Sequence, residues 1–141
     1  MLSANDIALV RASFAKVLPI KDAAADLFYD RLFEIAPQLR PMFPSDLDEQ
    51  KKKLMAMLGT AVSGLSRLDT LMPAVRALGR RHAGYGVKPQ HFTPVGAALL
   101  WTLEKGLGAA FTPEVKDAWA TAYIVLSTTM IDAANERPLA A

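Results

Sequence analysis

The chain has 141 residues, 52% apolar and 21% charged, which suits one globular domain with a substantial core rather than a disordered chain. A formal charge of +2, with Lys51-Lys52-Lys53 the densest basic run, is too weak a pattern for a nucleic-acid surface. The absence of cysteine excludes a structural disulfide, a cysteine zinc site and an iron–sulfur cluster.

Ser3 and Asp6 make a capping-box pattern with Asp in place of Glu. Ile7, Val10, Phe14, Val17 and Leu18 follow at helical spacing until Pro19 ends the run. A second helix from about Asp22 presents Ala25, Phe28 or Tyr29, Leu32, Phe33 and Ala36. Pro37, Pro41 and Pro44 then confine a corner that carries Leu39, Met42 and Phe43. An apolar corner is unusual for a loop and is expected to cover something buried.

Ser45 or Asp46 is placed to cap a third helix, whose stripe to about Leu65 reads Leu47, Gln50, Leu54, Leu58, Ala61 and Leu65. Gln50 is the polar member. Either it reaches water from the first turn, or it faces a cavity and offers its amide to a ligand. Asp69-Thr70 opens a short helix with Leu71, Ala74, Val75, Leu78 and His82 on one face, stopped by Gly84 and Gly86. Lys88-Pro89 starts the next, with Phe92, Val95, Leu99, Leu103 and Leu107 on its face. Thr112-Pro113-Glu114 is a strong helix start, and the last helix carries Val115, Trp119, Ala122, Tyr123, Leu126 and Met130 before Pro138.

No stretch alternates at strand period, and no Asn-Gly or Asp-Gly hairpin occurs. The expectation is one all-α domain over residues 1–141, with about six long helices and one short one crossing at steep angles around a pocket. No apolar run is long enough to span a bilayer and the N-terminus lacks a secretory pattern, so the expected location is the cytoplasm.

His82 is one of two histidines and ends an apolar stripe. It reads either as a buried imidazole bonded to backbone or as a metal ligand. No nucleophile elbow, phosphate loop, paired Glu-x-x-His or acidic calcium loop accompanies it, so no catalytic residue is assigned. A single histidine holds a bare ion poorly. It can hold iron in a macrocycle that supplies four other donors.

The order Tyr29, Pro41-Met42-Phe43, Gln50, Leu54, His82 and Trp119-x-x-x-Tyr123, with a spacing of 32 from Gln50 to His82, resembles a single-domain globin over nearly the whole chain. It is similar to bacterial haemoglobins and the haem domain of flavohaemoglobins. Leu78 to Val87 and Leu103 to Pro113 also look like neuroglobin. The resemblance implies a globin fold holding haem b (iron protoporphyrin IX), with His82 as proximal ligand and its other ring nitrogen donating to a carbonyl such as that of Leu78. It implies Phe43 as the haem wedge, with Tyr29, Gln50 and Leu54 on the distal side. Leu78, Val87, Phe92 and Val95 would line the proximal side. Lys53 would pair with a propionate; the alternative is a solvated lysine. Tyr29 could instead be an ordinary buried tyrosine bonded to backbone.

Two departures bear on function. Flavohaemoglobins set a tyrosine and a glutamate against the proximal histidine, where this chain has Phe92 and Ala134, and Glu136 falls on the wrong face. The sequence also leaves no room for a reductase domain. The resemblance therefore implies reversible dioxygen binding for storage, delivery or scavenging, with carbon monoxide and nitric oxide as further ligands. The alternative is an enzyme, a nitric oxide dioxygenase served by a separate reductase. Monomer and homodimer are both left open.

Overall fold

Ser3 and Asp6 exchange the two hydrogen bonds expected of them. Ser3 Oγ accepts from the Asp6 N–H and Asp6 Oδ2 accepts from the Ser3 N–H, each at 3.0 Å. The computed structural model describes residues 2–135; the expectations for Glu136 and Pro138 lie outside them. Helix α1 runs Ala4–Val17, and Pro19 falls in a 3-10 turn, Leu18–Ile20, that leads into α2, Lys21–Ile35. The proline corner is a 3-10 stretch, Pro37–Met42. Helix α3 covers Asp48–Gly64 and α4 covers Leu68–Gly84, joined by a 3-10 turn at Leu65–Arg67. Helix α5 is Phe92–Leu107 and α6 is Pro113–Ala134, the latter capped by Thr112 Oγ1, which accepts from the Val115 N–H at 3.2 Å. No strand occurs among the described residues.

Three expectations are corrected. The expected cap of α3 is displaced: its N-cap is Leu47 with no side-chain bond, and Asp46 Oδ1 instead accepts from the Asp48 N–H at 2.9 Å. The fourth helix is not short; it has 17 residues, as many as α3, and runs through Pro73. A proline inside a helix costs about 3 kcal/mol, and burial of Leu71 and Val75 against α6 returns roughly 1.5–3 kcal/mol for each side chain. Ala74, placed on the inward stripe, is exposed. The buried line is Leu71, Val75 and Gly79, at steps of four, with Leu78 and His82 half-buried at its margin.

Most of the core lies between α1, α2, α3, α5 and α6, around Phe14, Phe28, Leu32, Leu99 and Trp119. Helix α4 stands apart. It packs chiefly on α6 through a small cluster of Leu71, Val75 and Met130, and only slightly on α3. At Gly79 a Cβ would collide with the Met130 carbonyl and stand 2.6 Å from its Cα, so a glycine lets the two backbones touch. That crossing sets where the last turn of α4, and His82, can sit.

Candidate functional site

His82 occupies the last turn of α4, half-buried, with Nδ1 2.8 Å from the Leu78 carbonyl oxygen one turn back. A carbonyl only accepts, so in the neutral ring Nδ1 carries the proton and Nε2 keeps its lone pair. The Leu78 bond also fixes the ring's rotation, as partners of ligating histidines do. Gly86, at φ +87°, turns the chain back, and the Val87 N–H donates to the His82 carbonyl at 3.0 Å. A small pocket beside the ring is lined by Gly79, His82, Ala83, Val87, Pro89, Phe92, Met130, Ile131 and Ala134. Neither Phe92 nor Ala134 offers an acceptor to the imidazole, as read from the sequence.

The second cluster is on α2 and α3. Tyr29 is buried, 3% exposed, with its ring edge-on to Phe28 at 4.9 Å and to Phe43 at 5.7 Å. Phe33 closes the group, 5.4 Å from Phe43. Burial pushes the Tyr29 hydroxyl above its ordinary value, and a side-chain hydrogen bond with Gln50 draws it back in part. Gln50 is half-buried in the first turn of α3. Gln50 thus sits at a helix start, with its side chain near a buried hydroxyl.

Arg40, unremarked in the sequence, holds the corner that carries Phe43. Its guanidinium donates to the carbonyls of Phe43 at 3.3 Å, Pro44 at 2.8 Å and Ser45 at 3.0 Å, and lies over the Phe33 ring. An arginine among prolines in an apolar corner was the available signal, since freed carbonyls there need donors. Tyr123 was read only as core. Its hydroxyl donates to the Phe92 carbonyl at 2.6 Å, and burial pushes its pKa far up. It thus pins the start of α5 beside His82.

The remaining sequence candidates fall in different places. Leu54 is buried in the main core and lines a cavity with Phe14, Phe28, Leu99 and Trp119, one turn past Gln50. Leu78 supplies the carbonyl and packs half-buried against Leu71, Val75 and Met130. Val95 packs against the main core, not the small pocket beside His82. Lys53 is exposed. His91 caps the turn before α5, its Nδ1 accepting from the Lys88 N–H at 3.0 Å.

Among the described residues no three His, Asp or Glu side chains gather to hold a bare ion. One oriented imidazole with a free Nε2 fits iron whose other donors come from a macrocycle, as haem supplies. The globin family model matches residues 26–130 of this chain. A neuroglobin of Tetraodon nigroviridis is 33% identical over 92% of the chain and 90% of its own length. A flavohemoprotein of Bacillus subtilis (strain 168) is 28% identical over 93% of the chain, which spans only 34% of that protein. Among solved structures, a bacterial globin from Campylobacter jejuni superposes with a TM-score of 0.82 at 23% identity, covering 94% of this chain and 96% of that one. An engineered carbene transferase, derived from a Rhodothermus marinus protein assigned to nitric oxide dioxygenation, gives 0.84 at 27% identity, covering 95% and 94%.

Proposed function

The chain belongs to the globin family, and on that premise we propose that it holds haem b through His82 and binds dioxygen reversibly beneath Tyr29 and Gln50. Haem, when bound, supplies an iron that takes diatomic ligands. The residues of this chain do the rest. His82 offers Nε2, held in orientation by the Leu78 carbonyl. Phe43, set by Arg40 and packed on Tyr29, is the wedge at the helix corner. Leu54 and, on the other side, Leu78, Val87 and Phe92 provide apolar walls, with Val95 behind them in the main core, and Lys53 is within the first turns of α3 for a propionate.

The observation that carries the reading is the approach of Gln50 on α3 to the buried Tyr29 hydroxyl on α2, which brings together two donors from different helices. Both groups retain N–H or O–H capacity for a polarised diatomic ligand. A hydrogen bond to a charged acceptor contributes roughly 1.5–3 kcal/mol, enough to slow ligand release ten-fold or more.

A second reading, nitric oxide dioxygenation, is supported by the relative from Rhodothermus marinus. It consumes nitric oxide, dioxygen and one electron per nitrate, the electron coming from a separate reductase. The apolar neighbours of His82, Phe92 and Ala134, favour holding dioxygen over driving its chemistry. Haem titrated into the purified chain tests the common premise: a Soret band is expected with the wild type and lost or strongly shifted with His82→Ala. An unchanged spectrum in that variant overturns the assignment. Sustained turnover of nitric oxide with NADH and a reductase would favour the second reading.

A further inference from the structure

From Thr70 to Leu103 the sequence has no Asp or Glu, yet it holds Arg76, Arg80, Arg81 and Lys88. All 14 acidic residues lie elsewhere, against 12 basic ones, so the chain's positive charge is concentrated on the segment that carries His82. At its centre is Tyr85, 73% exposed and the most exposed large aromatic of the described residues. Its ring meets the His82 ring edge-on with centroids 6.3 Å apart. Arg81, exposed, stands one turn before Tyr85, whose N–H donates to the Arg81 carbonyl at 3.2 Å. The Gly86 turn and the Val87-to-His82 bond return the chain towards the end of α4, and exposed Lys88 follows directly, three residues after Tyr85. Neither Arg81 nor Lys88 forms an ion pair among the described residues.

An exposed aromatic between cations is the composition of an interface centre rather than of ordinary surface. We propose that Arg81, Tyr85 and Lys88 form the docking face for an acidic one-electron carrier protein, which passes its electron across the Tyr85–His82 contact. This rests on His82 as iron ligand. With haem held at His82, the carrier's reduced iron–sulfur cluster would be oxidised by one electron and the ferric iron reduced to ferrous, the electron being the only thing the carrier hands over. Complementary charge recruits the carrier and sets its orientation, and the exposed ring, 6.3 Å from that of His82, gives a route inward. Few cations share the face, so it is poorer than a nucleic-acid site or a polybasic membrane anchor requires.

The probe is a plant-type [2Fe–2S] ferredoxin, a strongly acidic one-electron carrier. Calorimetry with the oxidised ferredoxin and the haem-loaded protein should show binding that weakens as salt rises. The double variant R81E/K88E should weaken it about ten-fold or more and flatten the salt dependence, and Tyr85→Ala should slow electron transfer in stopped flow. Control reversals at Lys16 and Lys116 should change neither. Binding insensitive to salt and to R81E/K88E overturns the proposal, as does equal, equally mutation-sensitive binding to vesicles of phosphatidylcholine and phosphatidylglycerol or to RNA. The Soret band of each sample separates the two claims. If it is intact and docking fails, only the docking face is wrong; if it is missing, the haem reading fails while calorimetry still reports on the surface.

Discussion

The Gln50 side chain on α3 comes close enough to the buried Tyr29 hydroxyl on α2 to favour its ionised form, beside a cluster of three phenylalanine rings. The relationship ties a buried phenol to an amide at a helix start, and each retains donor capacity. Tyr29→Phe removes one donor and keeps the ring packing. Dioxygen release from the haem-loaded protein should accelerate about ten-fold, measured by stopped-flow displacement with carbon monoxide. An unchanged release rate would refute the distal role. Because burial raises the phenol above its ordinary value of 10.0, the proton stays on through neutral and mildly alkaline pH. Release in the wild type should therefore be flat between about pH 6 and 9.

The same shift predicts alkaline sensitivity of the fold. Both Tyr29 and Tyr123 are raised by burial above the ordinary phenol value of 10.0. A raised folded value means the unfolded chain loses its proton first, so stability falls wherever the unfolded state binds fewer protons. The contribution is complete below about pH 10 and is lost as pH climbs towards the folded values. Urea unfolding at stepped pH from 8 to 11.5 should show a steep decline that becomes shallower in Tyr123→Phe. An identical slope in that variant would show that Tyr123 ionises freely in the folded state.

The contact of Gly79 with Met130 gives a prediction of opposite sign to the usual helical rule. Alanine replacing glycine inside a helix ordinarily stabilises by about 0.5–1 kcal/mol. Gly59→Ala should do so, since its Cβ would meet only Phe14 Cε2 at 3.9 Å. Gly79→Ala should instead destabilise by about 1–3 kcal/mol, because the obstacle is backbone and cannot swing aside. Equal effects of the two substitutions in urea would mean that α4 does not press on α6 at this crossing.

What the sequence disclosed was local. The capping pair at Ser3 and Asp6, the Thr112 cap and the Leu78 carbonyl as partner for His82 are all relations within four residues, and all three form. The globin fold followed from helix order and from residues spaced along several helices together. What was not disclosed depends on pairs remote in sequence. Gly79 reads as a weak helix residue until Met130 is laid against it. Tyr123 reads as core until its hydroxyl is found on the Phe92 carbonyl. The length of α4 was underestimated because Pro73 is a local signal, while the burial that overrides it comes from α6.

Trp119 and Ser13 make another such pair, 106 residues apart. The indole Nε1–H donates to Ser13 Oγ at 2.8 Å, and Ser13 donates in turn to the Leu9 carbonyl at 2.7 Å. Both residues are buried. Ser13→Ala leaves the indole N–H without an acceptor and should cost about 1–3 kcal/mol, read from the urea midpoint. Trp119→Phe, which removes the donor as well, should partly relieve the penalty when combined with it, as a double-mutant cycle would measure. Simple additivity would show that the hydrogen bond carries no coupling.

The apolar lining of the pocket beside His82 can be tested by changing it. Phe92 and Ala134 line the pocket beside the ring, and among the described residues the Nδ1 proton is engaged by the Leu78 carbonyl, an uncharged acceptor. Ala134→Glu introduces a carboxylate from α6 into that pocket. A carboxylate competing for the Nδ1 proton makes an imidazole a stronger donor to its metal. In the haem-loaded protein the iron–histidine stretching band should therefore move to higher frequency, and the reduction potential should fall. Ala134→Gln, of matching shape without the charge, should leave both near the wild-type values. If Glu and Gln behave alike while the circular dichroism of both is native, charge at this position does not reach the ring. The link drawn between an apolar proximal pocket and dioxygen holding would then fail.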